Sequence, residues 1–125
     1  MGGQKTRIMV VDDEPDILEV VKLILARQNL TVDTFTSPFD ALEKIKKVHF
    51  NVVLTDVRMP LLNGIDLSRE IKRIRPLFRV LFMSAFETSV TMAVAGAAEN
   101  EILSKPFTAG QLQKFLSPNV PELHA

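Results

Sequence analysis

The sequence predicts an α/β protein: one parallel sheet of five strands, doubly wound, with helices on both of its faces. Three observations predict it. Short continuous apolar runs recur at residues 8–11, 52–54, 80–83 and 102–103, with a weaker, alternating run at 31–35. Segments with helical periodicity fill the gaps between them. The 125 residues, 46% hydrophobic and 24% charged, suit one ordinary domain with a core of its own. Continuous β-branched and aliphatic runs are what strands buried on both faces require. Strands alternating with helices run parallel through right-handed crossovers, which lays helices on both sides of the sheet.

Each element has its own signal. The first run leads into Asp12, Asp13 and Glu14, then Pro15, which a first helical turn tolerates. Ile17, Val20, Val21 and Ile24 follow the i, i+3, i+4, i+7 spacing of one helix face. After the second run, Ser37-Pro38-Phe39-Asp40 reads as a capping box with proline at the first helical position. Ala41, Leu42, Ile45 and Val48 continue that stripe. After the third run, Asn63-Gly64 marks a turn, and Leu67, Ile71 and Ile74 form the next stripe. Residues 90–98, rich in alanine and containing Gly96, make a weakly amphipathic fourth helix. Thr108-Ala109-Gly110-Gln111 resembles another capping box, followed by Leu112, Phe115 and Leu116. Ser117-Pro118 then stops the helix. Residues 119–125, with Pro121, read as an unstructured end or the start of a linker. The expected domain therefore covers residues 6–117, with 1–5 and 118–125 as flexible ends.

Composition excludes several functions. Fifteen basic and 15 acidic side chains balance, which argues against nucleic-acid binding through bulk charge. The absence of cysteine removes disulfides, thiolate metal sites and cysteine nucleophiles. No apolar stretch approaches the ~20 residues that span a bilayer, and no signal-peptide pattern opens the chain. The expectation is a soluble, cytoplasmic protein without membrane contact. His49 falls in a predicted turn and His124 in the tail, with no second histidine at ligand spacing.

Open parallel sheets place ligands beyond the carboxyl ends of their strands. Those ends carry Asp12, Asp13 and Glu14, then Asp56, then Ser84, then Lys105 with Pro106. Singly, each has an ordinary reading: the aspartates as helix or loop caps, Ser84 as a turn residue, Lys105 as a solvated charge. Together they gather carboxylates, a hydroxyl and an ammonium at one edge. Like charges ~4 Å apart repel by several kcal/mol at an effective dielectric near 20, so such a group calls for protonation or a cation. Hard oxygen ligands suit Mg²⁺. A carboxylate beside that ion can attack phosphorus, and the transferred group then needs a cation and a hydrogen-bond donor, which Lys105 and Ser84 supply.

At these residues the sequence resembles the response-regulator receiver domains of two-component signalling. The matching pieces are Val10-Val11-Asp12-Asp13-Glu14-Pro15, Leu54-Thr55-Asp56-Val57-Arg58-Met59-Pro60 with Gly64, Met83-Ser84-Ala85, and Ser104-Lys105-Pro106-Phe107. The resemblance implies a flavodoxin-like fold with strand order 2-1-3-4-5. It implies Asp56 as the phosphoacceptor, supplied by a sensor histidine kinase or a phosphotransfer protein. It implies Mg²⁺ held by Asp13, Asp56 and the backbone carbonyl of Arg58, with Asp12 acting through water. Lys105 would contact a phosphate oxygen, Ser84 would move with the phosphate, and the Lys105–Pro106 bond would be cis. The implied state is a monomer or a weak phosphorylation-dependent dimer, with any output domain or downstream target outside this chain.

Three departures stand out. Ile102 occupies the place, three residues before the lysine, where the family often has an aromatic. The small-residue pair usual before the last strand is displaced to the neighbourhood of Ala97, Ala98 and Glu99. The last helix is short. With Ile102 in place of a rotating ring, the expected readout passes through the loop after Ser84, with Phe86 as the moving aromatic, and Arg58 and Phe86 flank the phosphate. The rival readings are a phosphohydrolase with an aspartyl-phosphate intermediate, a flavin carrier and a phosphorylation-independent docking domain. The hydrolase pattern of a second aspartate two residues after the first is missing, and an acidic first loop repels a flavin phosphate.

Overall fold

The computed structural model describes residues 5–26, 28–85, 96–98 and 101–123. Five parallel strands form one sheet in the order β2-β1-β3-β4-β5: β1 (Thr6–Val11), β2 (Leu30–Phe35), β3 (Val52–Asp56), β4 (Arg79–Ala85) and β5 (Ile102–Lys105). The described helices are α1 (Pro15–Leu25), α2 (Pro38–Lys47), α3 (Gly64–Ile74) and α4 (Ala109–Leu116). Both the doubly wound α/β class and the strand order are as expected. The order reverses beside β1, which places the ends of β1 and β3 at the sheet's switch point.

Alternation along each strand sorts its side chains between two cores. Ile8 and Val10 face α1 and α4, packing with Leu18, Val21, Leu25, Leu112 and Leu116. Met9 and Val11 face the other side, where Ala41, Ile45, Leu67 and Ile71 of α2 and α3 cover them. Every residue of β3 is buried, so both sets meet at the strand that carries Asp56. The helix starts follow the sequence signals. Ser37 accepts from the Asp40 amide at 3.3 Å, and Thr108 with Gln111 forms the full capping box.

Three expectations change. The buried residues of α1 are Leu18, Val21 and Leu25, whereas Val20 is 44% exposed. Leu18 and Leu25 flank the stripe of Ile17, Val20, Val21 and Ile24 on a broad apolar face, so periodicity alone did not set its centre. Ile17 and Ile24 remain partly buried against the same core. The expected unstructured end does not begin at residue 119. Ser117–Asn119 and Pro121–Leu123 form 3₁₀ turns, Val120 is wholly buried in the α1–α4 core, and Glu122 accepts from both the amide and the hydroxyl of Thr6, at 3.2 and 2.8 Å. An apolar peg and a carboxylate clasp fold the tail back onto the start of β1. The helix expected over residues 90–98 lies largely outside the described residues, but 96–98 are not helical, and Gly96 takes φ +97°, which favours glycine. Among the described residues, no helix is long and apolar enough to cross a membrane.

Candidate functional site

β1 ends in the wholly buried Asp12. Its Oδ1 accepts from the Glu14 amide at 2.9 Å, an Asx turn that starts α1, and its Oδ2 accepts from Lys105 Nζ at 2.8 Å. Glu14, not Asp12, holds the N-cap position of α1, and no side chain caps that helix, so this aspartate belongs to the site rather than to the helix cap. Asp13 and Glu14 are exposed.

β3 ends in Asp56, 6% exposed, with Oδ1 3.3 Å from the same Lys105 Nζ. Its backbone is tightly held. Thr55 Oγ1 donates to the Asp56 carbonyl at 2.9 Å, and the Val57 amide donates to the Met83 carbonyl at 3.1 Å. The Gly64 amide donates to the Val57 carbonyl at 2.8 Å, which draws the start of α3 against β3. A Cβ on Gly64 would collide with the Asp56 carbonyl oxygen, so the approach itself requires glycine.

Ser84, at the end of β4, is 1% exposed and pairs in register with Ser104. Lys105 closes β5, and the following bond to Pro106 is cis, as expected. Its ammonium also lies 3.9 Å from Glu14 Oε1. Oxygens of Asp12, Asp13, Glu14 and Asp56 all fall within 4.8 Å of one another. Glu14 was not among the ligands expected from the sequence; its place directly after the aspartate pair was the available signal. Arg58 lies exposed on the loop after Asp56. Ile102 is partly buried, pairs in register with Phe82 and packs on the α2–α3 side of the sheet. Phe86 lies outside the described residues.

The electrostatics follow from this crowding. Burial, and then the charge of Asp12, raise the Asp56 carboxyl above its ordinary value against the opposing pull of Lys105. Burial works against the Lys105 ammonium as well, but the hydrogen bond and charge of Asp12, with those of Asp56, outweigh it and raise its pKa. One cation among four carboxylates leaves an excess of negative charge on hard oxygen donors, a set that fits a magnesium ion.

Comparison with known proteins agrees with the fold. The response regulator receiver domain family matches residues 8–117. The transcriptional regulatory protein ZraR of Klebsiella oxytoca is 33% identical over 120 residues, covering 94% of this chain and 27% of that protein. The response regulator protein PilR of Pseudomonas aeruginosa is 32% identical over 120 residues, covering 94% and 26%. The chain thus spans about a quarter of the length of these relatives. Among solved structures, a response regulator receiver domain protein from Clostridium thermocellum superposes with a TM-score of 0.79 at 31% identity, over 93% of this chain and 94% of that one.

Proposed function

The chain belongs to the response-regulator receiver family, and on that premise we propose that it accepts a phosphoryl group on Asp56 from a phosphohistidine of a sensor histidine kinase or phosphotransfer protein. The observation that carries this reading is Lys105 Nζ, seated 2.8 Å from Asp12 and 3.3 Å from Asp56 within the carboxylate cluster. In the transfer, the phosphorus–nitrogen bond of the donor breaks as a phosphorus–oxygen bond to Asp56 forms. A carboxylate oxygen of Asp56 attacks, while Lys105 starts 3.3 Å from Oδ1. Lys105 then turns to the transferred group, exchanging one charge-assisted hydrogen bond for another. Ser84 donates its hydroxyl to the same group and shifts with it.

Asp13, Asp56 and the Arg58 carbonyl would hold the magnesium ion. Asp12, whose oxygens accept from the Glu14 amide and Lys105, would act through water, as the resemblance implies. When bound, the ion offsets the charge of the transferring phosphoryl group. The protein is on this reading a signalling domain that assists its own modification. ZraR carries the name of a transcriptional regulatory protein, so control of transcription is the output proposed for a longer protein of that kind.

The test is intact-mass measurement after incubation with a small phosphodonor and Mg²⁺. A single phosphoryl adduct is expected in the wild type and none in Asp56→Asn, whose amide is neither nucleophile nor anionic ligand. An equal adduct in that variant would overturn the assignment. Donor turnover without an adduct would favour a hydrolase, and no reaction at all a docking domain.

A further inference from the structure

A second polar concavity of about 580 Å³ lies at the opposite edge of the sheet, at the amino ends of β1, β2 and β3. It is lined by Lys5, Arg7, Thr31, Val48, His49 and Asn51. These side chains come from separate segments that the sheet brings together, with Arg7 directly opposite Thr31 in the β1–β2 register.

Part of the lining is held in place. Arg7 is fixed through its backbone by Asn51, its amide donating to Asn51 Oδ1 and its carbonyl accepting from the Asn51 amide, both at 2.8 Å. The Arg7 guanidinium lies 5.3 Å over the Phe50 ring, and Nη2 donates to Asp33 at 2.9 Å. His49 is set edge-on against Phe78, with ring centres 5.8 Å apart.

The lining is also rich in donors. Asn51 has its oxygen occupied, so its side chain offers only N–H to the concavity. Lys5 has no ion-pair or hydrogen-bond partner among the described residues, and neither does the buried Arg7 Nε. Asp33 is engaged by Arg7, and Glu122 by Thr6. Lys5 is therefore the uncompensated charge. A guanidinium bound to a carboxylate through one nitrogen only leaves part of its fork unused.

We propose that this concavity binds a small phosphate-type anion, a site separate from the acidic cluster and independent of the function proposed above. Lys5 supplies the charge, and Thr31, His49 and Asn51 supply directional donors. The bound anion ties together the starts of three strands.

The test is a titration of the metal-free chain with inorganic pyrophosphate at low ionic strength, followed by amide chemical shifts. Saturable shifts at Arg7, Thr31, His49 and Asn51 are expected. Lys5→Gln, at an exposed position that the fold does not need, should weaken binding at least fivefold. Thr31→Val should weaken it by a smaller factor, and Lys114→Gln on another face should change nothing. Shifts that never saturate, that spread over lysines outside the concavity, or that persist unchanged in Lys5→Gln would overturn the proposal. A parallel sedimentation with phosphatidylglycerol vesicles separates the two sources of phosphate. Lys5-dependent pelleting without pyrophosphate binding would assign the surface to a membrane and refute the small-anion reading.

Discussion

At Lys105 a single ammonium answers two buried carboxylates, and the stability of the site turns on that imbalance. Asp12 is wholly buried and has Lys105 as its cationic partner, so Lys105→Met leaves a buried charge unpaired. Without metal this should cost about 1–3 kcal/mol, read from chemical denaturation, and added Mg²⁺ should narrow the gap. Asp56 behaves oppositely. Its pKa is raised on folding, so the folded chain binds this proton more readily than the unfolded one. Its contribution therefore falls as pH rises from the ordinary carboxylate range through the raised value, and stays low above it. In metal-free buffer, Asp56→Asn should melt higher than the wild type at neutral pH, with the difference closing in acid. A constant difference across pH would contradict this. Loss of a carboxylate should not stabilise this fold uniformly: removing Asp12 takes the nearer partner from Lys105 and leaves it only Asp56 at 3.3 Å and Glu14 at 3.9 Å, whereas removing Asp13 relieves repulsion of Asp56. Of the two, Asp13→Ala should lose most of the Mg²⁺ affinity, and titration of both variants measures the contrast.

The elements matter because each delivers one end to the site. Glycine at 64 allows α3 to begin against the backbone of Asp56. Gly64→Ala forces those backbones apart, at an expected cost of about 1–3 kcal/mol by thermal denaturation, and slows phosphorylation by displacing Asp56. The Thr108–Gln111 capping box fixes the start of α4 just after Lys105 and Pro106. Thr108→Ala should cost about 1 kcal/mol while leaving the phosphorylated fraction unchanged, since this residue touches none of the acidic cluster. Capping and turn signals were legible in the sequence because they act between residues three or four apart. The facing of α1 was not, because its apolar face is broad and only the sheet beneath it selects Leu18, Val21 and Leu25 as the centre.

Across the whole molecule, the tail joins the first strand to the last helix. Val120 is fully buried, and Glu122 clasps Thr6. Val120→Ala should cost about 1–2 kcal/mol, and protease resistance at the C-terminal end should fall with it. Slight burial works against the Glu122 carboxyl, but the hydrogen bonds from Thr6 outweigh it and lower the pKa. Its contribution is accordingly present above the ordinary carboxylate pKa and is lost as pH falls through the lowered value. Protection factors of the amides at residues 120–123, corrected for the intrinsic pH dependence of exchange, should fall over that acid range in the wild type but hardly change in Glu122→Gln.

The sequence by itself determined the α/β class, the parallel winding and the assembly of Asp12, Asp13, Asp56, Ser84 and Lys105 at one sheet edge. It could do so because strand periodicity and strand-end position follow from short-range spacing, and a parallel sheet turns those spacings into proximity. Only the tertiary structure decided which partners the charges take. Lys105 bridges Asp12 and Asp56 across three strands, Glu14 joins the carboxylates, and Glu122 reaches Thr6 from the far end of the chain. Such pairings depend on distances of a few ångströms between groups far apart in sequence, and no local pattern encodes those distances before the core has closed.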